Sequence, residues 1–394
     1  MERYRTSPVY RYLLFLSLTA AFGLQGWRTL FNNYAADTVG LNGFQVGLIQ
    51  SVREIPGFLT FLVALVAFYV RETRLGALSL VLLGAGVGAA GFFPSFTGLI
   101  VTTFVMSLGF HYFETINQAL CIQCFSRAQT PHVMGRLKAL VGLANIGAGA
   151  VVLGVSLVLP FSVSFVLIGA AVAAAGVRAW FREPAEHGGV PQLRRLLFRR
   201  RYLLYYVLSF LAGARRQIFV CFAVFLLVKR HGFQVEWVAG LFIVNNVLTY
   251  LVLPRISRGI ARFGERAMLT LEYSSLTLIF LGYALLDNPW AAAVLYLLDH
   301  VFFGFTIGIN TYLQKVADPA EVTPSVSTGF AVNHISAVIV PAFGGALWML
   351  NWRIPFLMGA ALAVCSLAAV QWIRVGRADD GPQASSSRSR SAKG

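Results

Sequence analysis

The stretch GFQVGLIQSVREIPGFLTFLV, residues 43–63, returns in altered form as GFQVEWVAGLFIVNNVLTYLV at residues 232–252. The first four residues are identical, and at the far end Leu59, Thr60, Leu62 and Val63 match Leu248, Thr249, Leu251 and Val252. Each copy is long and apolar enough to cross about 30 Å of hydrocarbon as a helix. The offset between them, 189 residues (43 to 232), keeps producing matches elsewhere. It sets Leu108, His111 and Phe113 on Leu297, His300 and Phe302, and Ile146 and Ala148 on Ile335 and Ala337. Abundant Leu, Val and Ala produce chance matches, but a shared GFQV and a matched histidine pair lie outside that alphabet. The chain reads as two copies of one unit.

Composition says where the units sit. Hydrophobic residues make up 57% of the chain and charged residues 12%, and the mean hydropathy is +0.69. A soluble domain carries roughly 25% charged residues, so most of this surface faces something other than water. Lipid cannot satisfy backbone polar groups, so the crossing segments must be helices. Apolar runs predict an all-α polytopic membrane protein with twelve spans, near residues 11–36, 43–70, 75–93, 97–124, 136–159, 161–181, 203–228, 234–254, 267–286, 290–314, 325–350 and 353–374. The first span outruns a signal-peptide h-region and contains Arg28, which argues for a retained helix.

A direct repeat of six spans keeps one orientation in both copies, related by an axis along the membrane normal. The expected organisation is a six-helix bundle over residues 1–182, a charged Gly/Pro-containing linker over 183–201, a second bundle over 202–375 and a disordered tail over 376–394. On this topology the excess charge of +16 collects on the side of the termini and the even-numbered loops. That is the positive-inside bias, which places both termini in the cytoplasm and accounts for the charge without a nucleic-acid partner. Cys121, Cys124, Cys221 and Cys365 all fall within spans and read as buried thiols rather than a disulfide framework.

With two six-span repeats, the chain resembles the major facilitator superfamily over residues 10–375. The family's G-x-x-x-D-R-x-G-R-R/K signature between helices 2 and 3 has an echo between helices 8 and 9. Here GIARFGER keeps Gly259, Arg262, Gly264 and Arg266, with Ala261 where the acid belongs, while FYVRETRLG keeps little beyond Gly76. PAFGG at 341–345 is similar to part of an antiporter motif but lies in span 11 rather than span 5. The resemblance implies a divergent branch of the family, with helices 1, 4, 7 and 10 around a central cavity. Helices 2, 5, 8 and 11 would flank it, and helices 3, 6, 9 and 12 would face lipid.

Polar groups in hydrocarbon are expensive, about 2.5–3.5 kcal/mol for a central charge on insertion scales, so their placement is informative. They concentrate in the spans expected near the centre: Gln25, Arg28, Asn32 and Asn33; Arg53 and Glu54; His111, Glu114, Asn117 and Gln118; Asn145; Arg215, Arg216 and Gln217; Asn245 and Asn246; Asp299, His300 and Asn310; Asn333 and His334. Glu272 in span 9 is the exception, and its place near the cytoplasmic end suggests pairing with a loop arginine. Helical spacing puts His111, Glu114, Gln118 and Cys121 on one face, and Asp299, Phe303, Thr306 and Asn310 on another.

Each group has two readings. Arg28, Gln25, Arg53, Arg215, Arg216 and Asn310 are candidate substrate contacts, because arginine keeps its charge when buried and offers a fork to a carboxylate or phosphate. The alternative is charge pairing between helices. Arg53 and Glu54 diverge by about 100° and need not pair with each other. Glu54, Glu114, His111, Asp299 and His300 are candidate proton carriers; their alternative role is inter-helix hydrogen bonding. Asn145 with His334, and Asn245 with Asn246, read as interface hydrogen bonds.

The expected function is secondary active transport of a small polar or anionic solute by alternating access, coupled to protons. An exporter or flippase of amphipathic molecules is the alternative within the fold. An integral membrane enzyme is a remote one: no nucleotide loop, H-E-x-x-H or G-x-S-x-G is present, and GFHYFE offers His111 and Glu114 without an evident third metal ligand. The expected partners are a small-molecule solute, protons and the lipid bilayer. No cofactor, metal or nucleic acid is expected. The short loops suggest a multi-pass protein of a prokaryotic cytoplasmic (inner) membrane, acting as a monomer.

Overall fold

The computed structural model describes residues 2–41, 43–184, 192–193, 197–233 and 235–374. The expected tail and most of the expected linker, 185–191 and 194–196, lie outside the described residues. Twelve helical passes occupy the places of the twelve expected spans, with no strand among the described residues. They are α1 Pro8–Asn33, α2 Gly43–Phe58, α3 Glu72–Ala90, α4 Phe96–Cys124, α5 Thr130–Val158 and α6 Phe161–Phe181. The second half contains α7 Leu203–Ile218, α8 Val235–Phe263, α9 Glu265–Leu285, α10 Pro289–Phe303, α11 Val322–Leu350 and α12 Ile354–Val370. Among the described residues nine are long and apolar enough to cross a membrane by composition alone, namely α2 to α10 with their continuations; α12 is apolar but shorter.

The packing repeats as the sequence does. In the first half α1 packs on α5 and α6, α2 on α4, and α3 on α4 and α6. In the second, α7 packs on α11 and α12, α8 on α10, and α9 on α10 and α12. Adding six to each label of the first set gives the second. The halves meet chiefly where α5 packs on α8 and α2 on α11. Small residues let the lipid-side helices close up: a Cβ on Gly84 of α3 would sit 2.4 Å from the backbone nitrogen of Ala173 in α6. Gly169, on α6, approaches α3 equally closely, a Cβ there lying 2.2 Å from the Gly88 nitrogen. In lipid such approach of backbones replaces the hydrophobic drive that packs helices in water.

Two helices extend beyond the expected spans at the same end of the molecule. α5 starts at Thr130 and α8 runs on to Phe263. Hydrocarbon limits the apolar stretch but not the helix, which can run on into the water-facing layer. Irregular turns fall on passes that line the centre. α7 passes through π-turns at Phe219–Ala223 and Leu226–Arg230, and α10 through a 3-10 turn at Gly304–Thr306 before resuming as Ile307–Val316. α2 loosens after Pro56 into a 3-10 turn at Leu59–Leu62 and resumes over Val63–Val66.

Candidate functional site

Between the halves lies a cavity of about 980 Å³. Its described lining comes from α1, α2, α4, α5, α7, α8, α10 and α11, and none from α3, α6, α9 or α12. The polar faces of the central helices thus converge, as a costly polar group in hydrocarbon requires. Of the expected site residues, Gln25, Arg28, Arg53, Glu54, His111, Glu114, Arg216, His300 and Asn310 line this cavity. Arg28 and Arg216 lie deep along their helices yet are exposed, because the cavity is what they face.

The cavity is closed at the end that carries the chain termini. There Gln314 Nε2 donates to the carbonyls of Ile122 and Phe125 and to Thr130 Oγ1, each at 2.8 Å. Gln123 Nε2 donates to Thr323 Oγ1 at 2.6 Å, and Arg127 to the Lys315 carbonyl at 3.1 Å. Each bond joins one half to the other. Away from that end the lining residues Arg28, Ser51, Arg216 and Val220 are exposed.

Arg53 and Glu54, which need not pair, do so: Nη2 donates to Oε1 at 2.7 Å and Nε to the same oxygen at 3.2 Å. Two long side chains can bend towards each other across the 100° that separates their Cβ atoms. Arg53 also lies over the Trp27 ring, 5.8 Å from its centroid, and Ser107 donates to the Arg53 carbonyl. Arg216 sits 5.2 Å from the Phe303 ring centroid. His300 shares a 3.1 Å hydrogen bond with Thr249, linking α10 to α8. Arg28 stands within electrostatic reach of Arg53, Arg216, Glu54 and Glu114. The lining sets four basic side chains, Arg28, Arg53, Arg216 and Lys138, against two acidic ones, Glu54 and Glu114.

Arg215 and Asp299 do not line the cavity. Both are buried in the second half. Arg215 Nη2 lies 3.7 Å from Glu272 Oε1, its Nη1 reaches Ser366 Oγ, and its guanidinium sits 4.3 Å from the Tyr273 ring centroid. Asp299 stands within electrostatic reach of the same arginine. Glu272 is therefore paired with a mid-span arginine of α7 rather than with a loop arginine. Glu272 and Asp299 thus both lie near one guanidinium inside the bundle.

Sequence reading passed over Lys138 and gave His334 a different partner. Lys138 lies inside the expected span 5 and falls within reach of Glu114 and Arg216. His334 bonds to the Phe330 carbonyl of its own helix at 2.9 Å rather than to Asn145, and its ring meets that of His111 edge-on at 4.7 Å. Asn145 also faces the cavity, as does Asn246, whose Nδ2 donates to the Phe242 carbonyl of its own helix. Cys121 lines the cavity and, with Cys124, Cys221 and Cys365, is a free thiol.

Comparison with known proteins agrees with this architecture. The family model described as Major Facilitator Superfamily matches residues 13–331. Among curated proteins no relative matches the sequence. Among solved structures, the transporter FucP in its outward conformation aligns with a TM-score of 0.76 at 16% identity, covering 94% of this chain and 100% of that one. The human organic anion transporter MFSD10 aligns with a TM-score of 0.75 at 12% identity, over 94% and 100%. A bacterial homologue of the iron transporter ferroportin, in an outward-facing state, aligns with a TM-score of 0.76 at 14% identity, over 92% and 98%. At such identities these likenesses establish the fold.

Proposed function

The chain belongs to the Major Facilitator Superfamily, and from that premise we propose that it is a secondary transporter moving a small anionic solute by alternating access, driven by protons. The observation that carries the reading is the cavity's basic side chains: among the described residues, Arg28, Arg216 and Lys138 face it without the close carboxylate partner that Arg53 has in Glu54. Guanidinium forks in a confined, low-dielectric space recognise carboxylate or phosphate groups. An amphipath or flippase substrate has no need of these cations, so their place on the wall favours the anion.

Glu114 is the proposed proton carrier, lying on the cavity wall beside Arg28, Arg216 and Lys138. A carboxyl that must choose between a proton and these cations can tie proton entry to solute binding. His300, on the opposite half, is a secondary carrier. The functional units in this reading are residues 1–182 and 202–375, with both termini in the cytoplasm of a prokaryotic cell. On that orientation the closed end is cytoplasmic and the cavity faces outward.

The test is transport by the purified protein in proteoliposomes, with a panel of organic anions, sugars and organic cations. An anion should be transported under a pH gradient. Glu114→Gln should lose that gradient-driven transport while keeping counterflow of the same solute. Unchanged proton-driven transport in the variant would remove Glu114 from the mechanism, and preference for a cation or neutral sugar would remove the anion.

A further inference from the structure

At mid-depth the seam between the halves brings together three side chains that sequence separates widely: Glu54 of α2, His111 of α4 and His334 of α11. One ring nitrogen of each histidine and a carboxylate oxygen of Glu54 lie within 4.8 Å of one another. Both histidines are more than nine-tenths buried, and His111 Nδ1 has no hydrogen-bond partner. We propose that these three residues form a divalent transition-metal site that fastens the first half to the second.

The chemistry of the donors supports it. A backbone carbonyl only accepts, so the His334 Nδ1 contact with the Phe330 oxygen places the proton on Nδ1. Nε2 then carries the lone pair, and the carbonyl fixes the ring's orientation. This is the outer support that metal-ligating histidines use. Glu54 accepts both hydrogen bonds from Arg53 at Oε1, which leaves Oε2 outside that pair. Two imidazoles and one carboxylate suit zinc, cobalt or nickel rather than magnesium or calcium, which take oxygen ligands. Ligands about 2.0–2.1 Å from a metal lie at most about 4.2 Å apart, so side-chain movement of about 1 Å closes the site. Three protein ligands leave a coordination position open to the cavity.

The packing around the site is built for this ring. A Cβ on Gly57, one helical turn beyond Glu54, would lie 2.1 Å from His334 Cδ2 and 2.6 Å from its Nε2. Only a glycine lets the imidazole of α11 seat against α2. The Phe330 ring stacks on His334 at 4.8 Å and holds it from behind. Arg53 and Arg216 are the cations that oppose a metal here. Arg53 already leans over Trp27, and Arg216 rests on Phe303, so both have a resting place besides the carboxylate.

Because the ligands come from both halves, metal occupancy and separation of α2 from α11 exclude each other. A bound ion holds the present conformation, and by linkage that conformation binds the ion better than one with the seam open. The readout does not depend on identifying the solute, so it fails or succeeds separately from the anion-transport reading.

The experiment uses full-length protein in detergent, freed of its affinity tag and stripped with chelator, then titrated with Co²⁺. One Co²⁺ per chain should bind, with visible ligand-field absorption and without the near-ultraviolet charge-transfer band that cysteine ligation would give. His334→Ala and Glu54→Gln should each weaken binding at least tenfold, while His231→Ala, in a loop, should not. Hydrogen exchange across residues 50–60 and 328–338 should slow when Co²⁺ is bound to the unaltered protein and not in His334→Ala. A protein that retains no Co²⁺, or binds it as tightly in both ligand variants, overturns the site. Binding that leaves exchange along the seam unchanged overturns the fastening. Melting curves of the metal-free variants distinguish a lost ligand from a lost fold, and Gly57→Ala, which keeps all three donors while displacing the ring, should weaken binding as well.

Discussion

Arg215 and Arg216 leave α7 about 100° apart, and that angle sends one side chain into protein and the other into the cavity. Arg215 is enclosed with Glu272 and Asp299, so its charge serves the fold. Breaking a buried pair by removing one partner leaves an uncompensated charge and costs about 3–5 kcal/mol. Arg215→Met should therefore lower the melting temperature in detergent markedly. A triple variant that also carries Glu272→Gln and Asp299→Asn should recover much of the loss, since neutral groups of similar shape carry no unpaired charge. Arg216→Met should do the reverse, leaving the melting temperature nearly unchanged and weakening solute binding tenfold or more. Equal effects of the two single variants on binding would contradict this division. Sequence could say that both were costly inside a membrane; which face each took depended on helix rotation, known only once α11 and α12 had packed on α7.

Among the elements, the connection into α11 shows what loops contribute. Glu321 ends a short turn, Pro319–Glu321, and is nearly fully buried. Burial pushes its carboxyl up, but hydrogen bonds from Arg201, Tyr202 and Arg199 outweigh this and hold it below the usual carboxylate range. A folded-state value below the unfolded one means that the contact stabilises fully above the unfolded pKa, about 4.3. The stabilisation is lost as pH falls through the lower folded value. Melting temperature should thus drop between about pH 5 and pH 3 by more in the native chain than in Glu321→Gln, where the titrating group is gone. Parallel pH curves for the two proteins would show that this latch contributes nothing. The linker residues before α7 read in sequence only as charged and Gly/Pro-containing; their acidic partner lies over a hundred residues on, and no local pattern announces it. Helix ends were obscured for a related reason: hydropathy marks where lipid stops, and α5 and α8 continue past that point.

At the scale of the whole molecule, the repeat was legible because two units of one fold bury the same faces, and a matched histidine or tetrapeptide survives where apolar residues drift. The contacts between units were not legible, because each is made between surfaces that the repeat does not pair with themselves: α5 meets α8, and α2 meets α11. The proposed alternating access would require those seams to open in turn, and α5–α8 has a position where closure can be tested directly. A Cβ on Gly135 of α5 would lie 2.8 Å from Ser257 Cβ and 3.3 Å from the Leu253 carbonyl of α8. No rotamer of a larger residue avoids the backbone-borne Cβ, so Gly135→Val must push α8 away at the closed end. The variant should favour the conformation open at the terminus-bearing end, with spin labels across that end moving several ångströms apart and those across the opposite end drawing closer. Thiol reagents should reach Cys124 faster, and transport should fall. Adding Ser257→Gly removes the obstructing Cβ and should restore both distances and transport in part. Label distances unchanged by Gly135→Val would mean that this seam does not gate the cavity, and the rocking of two like-oriented bundles would need a different hinge.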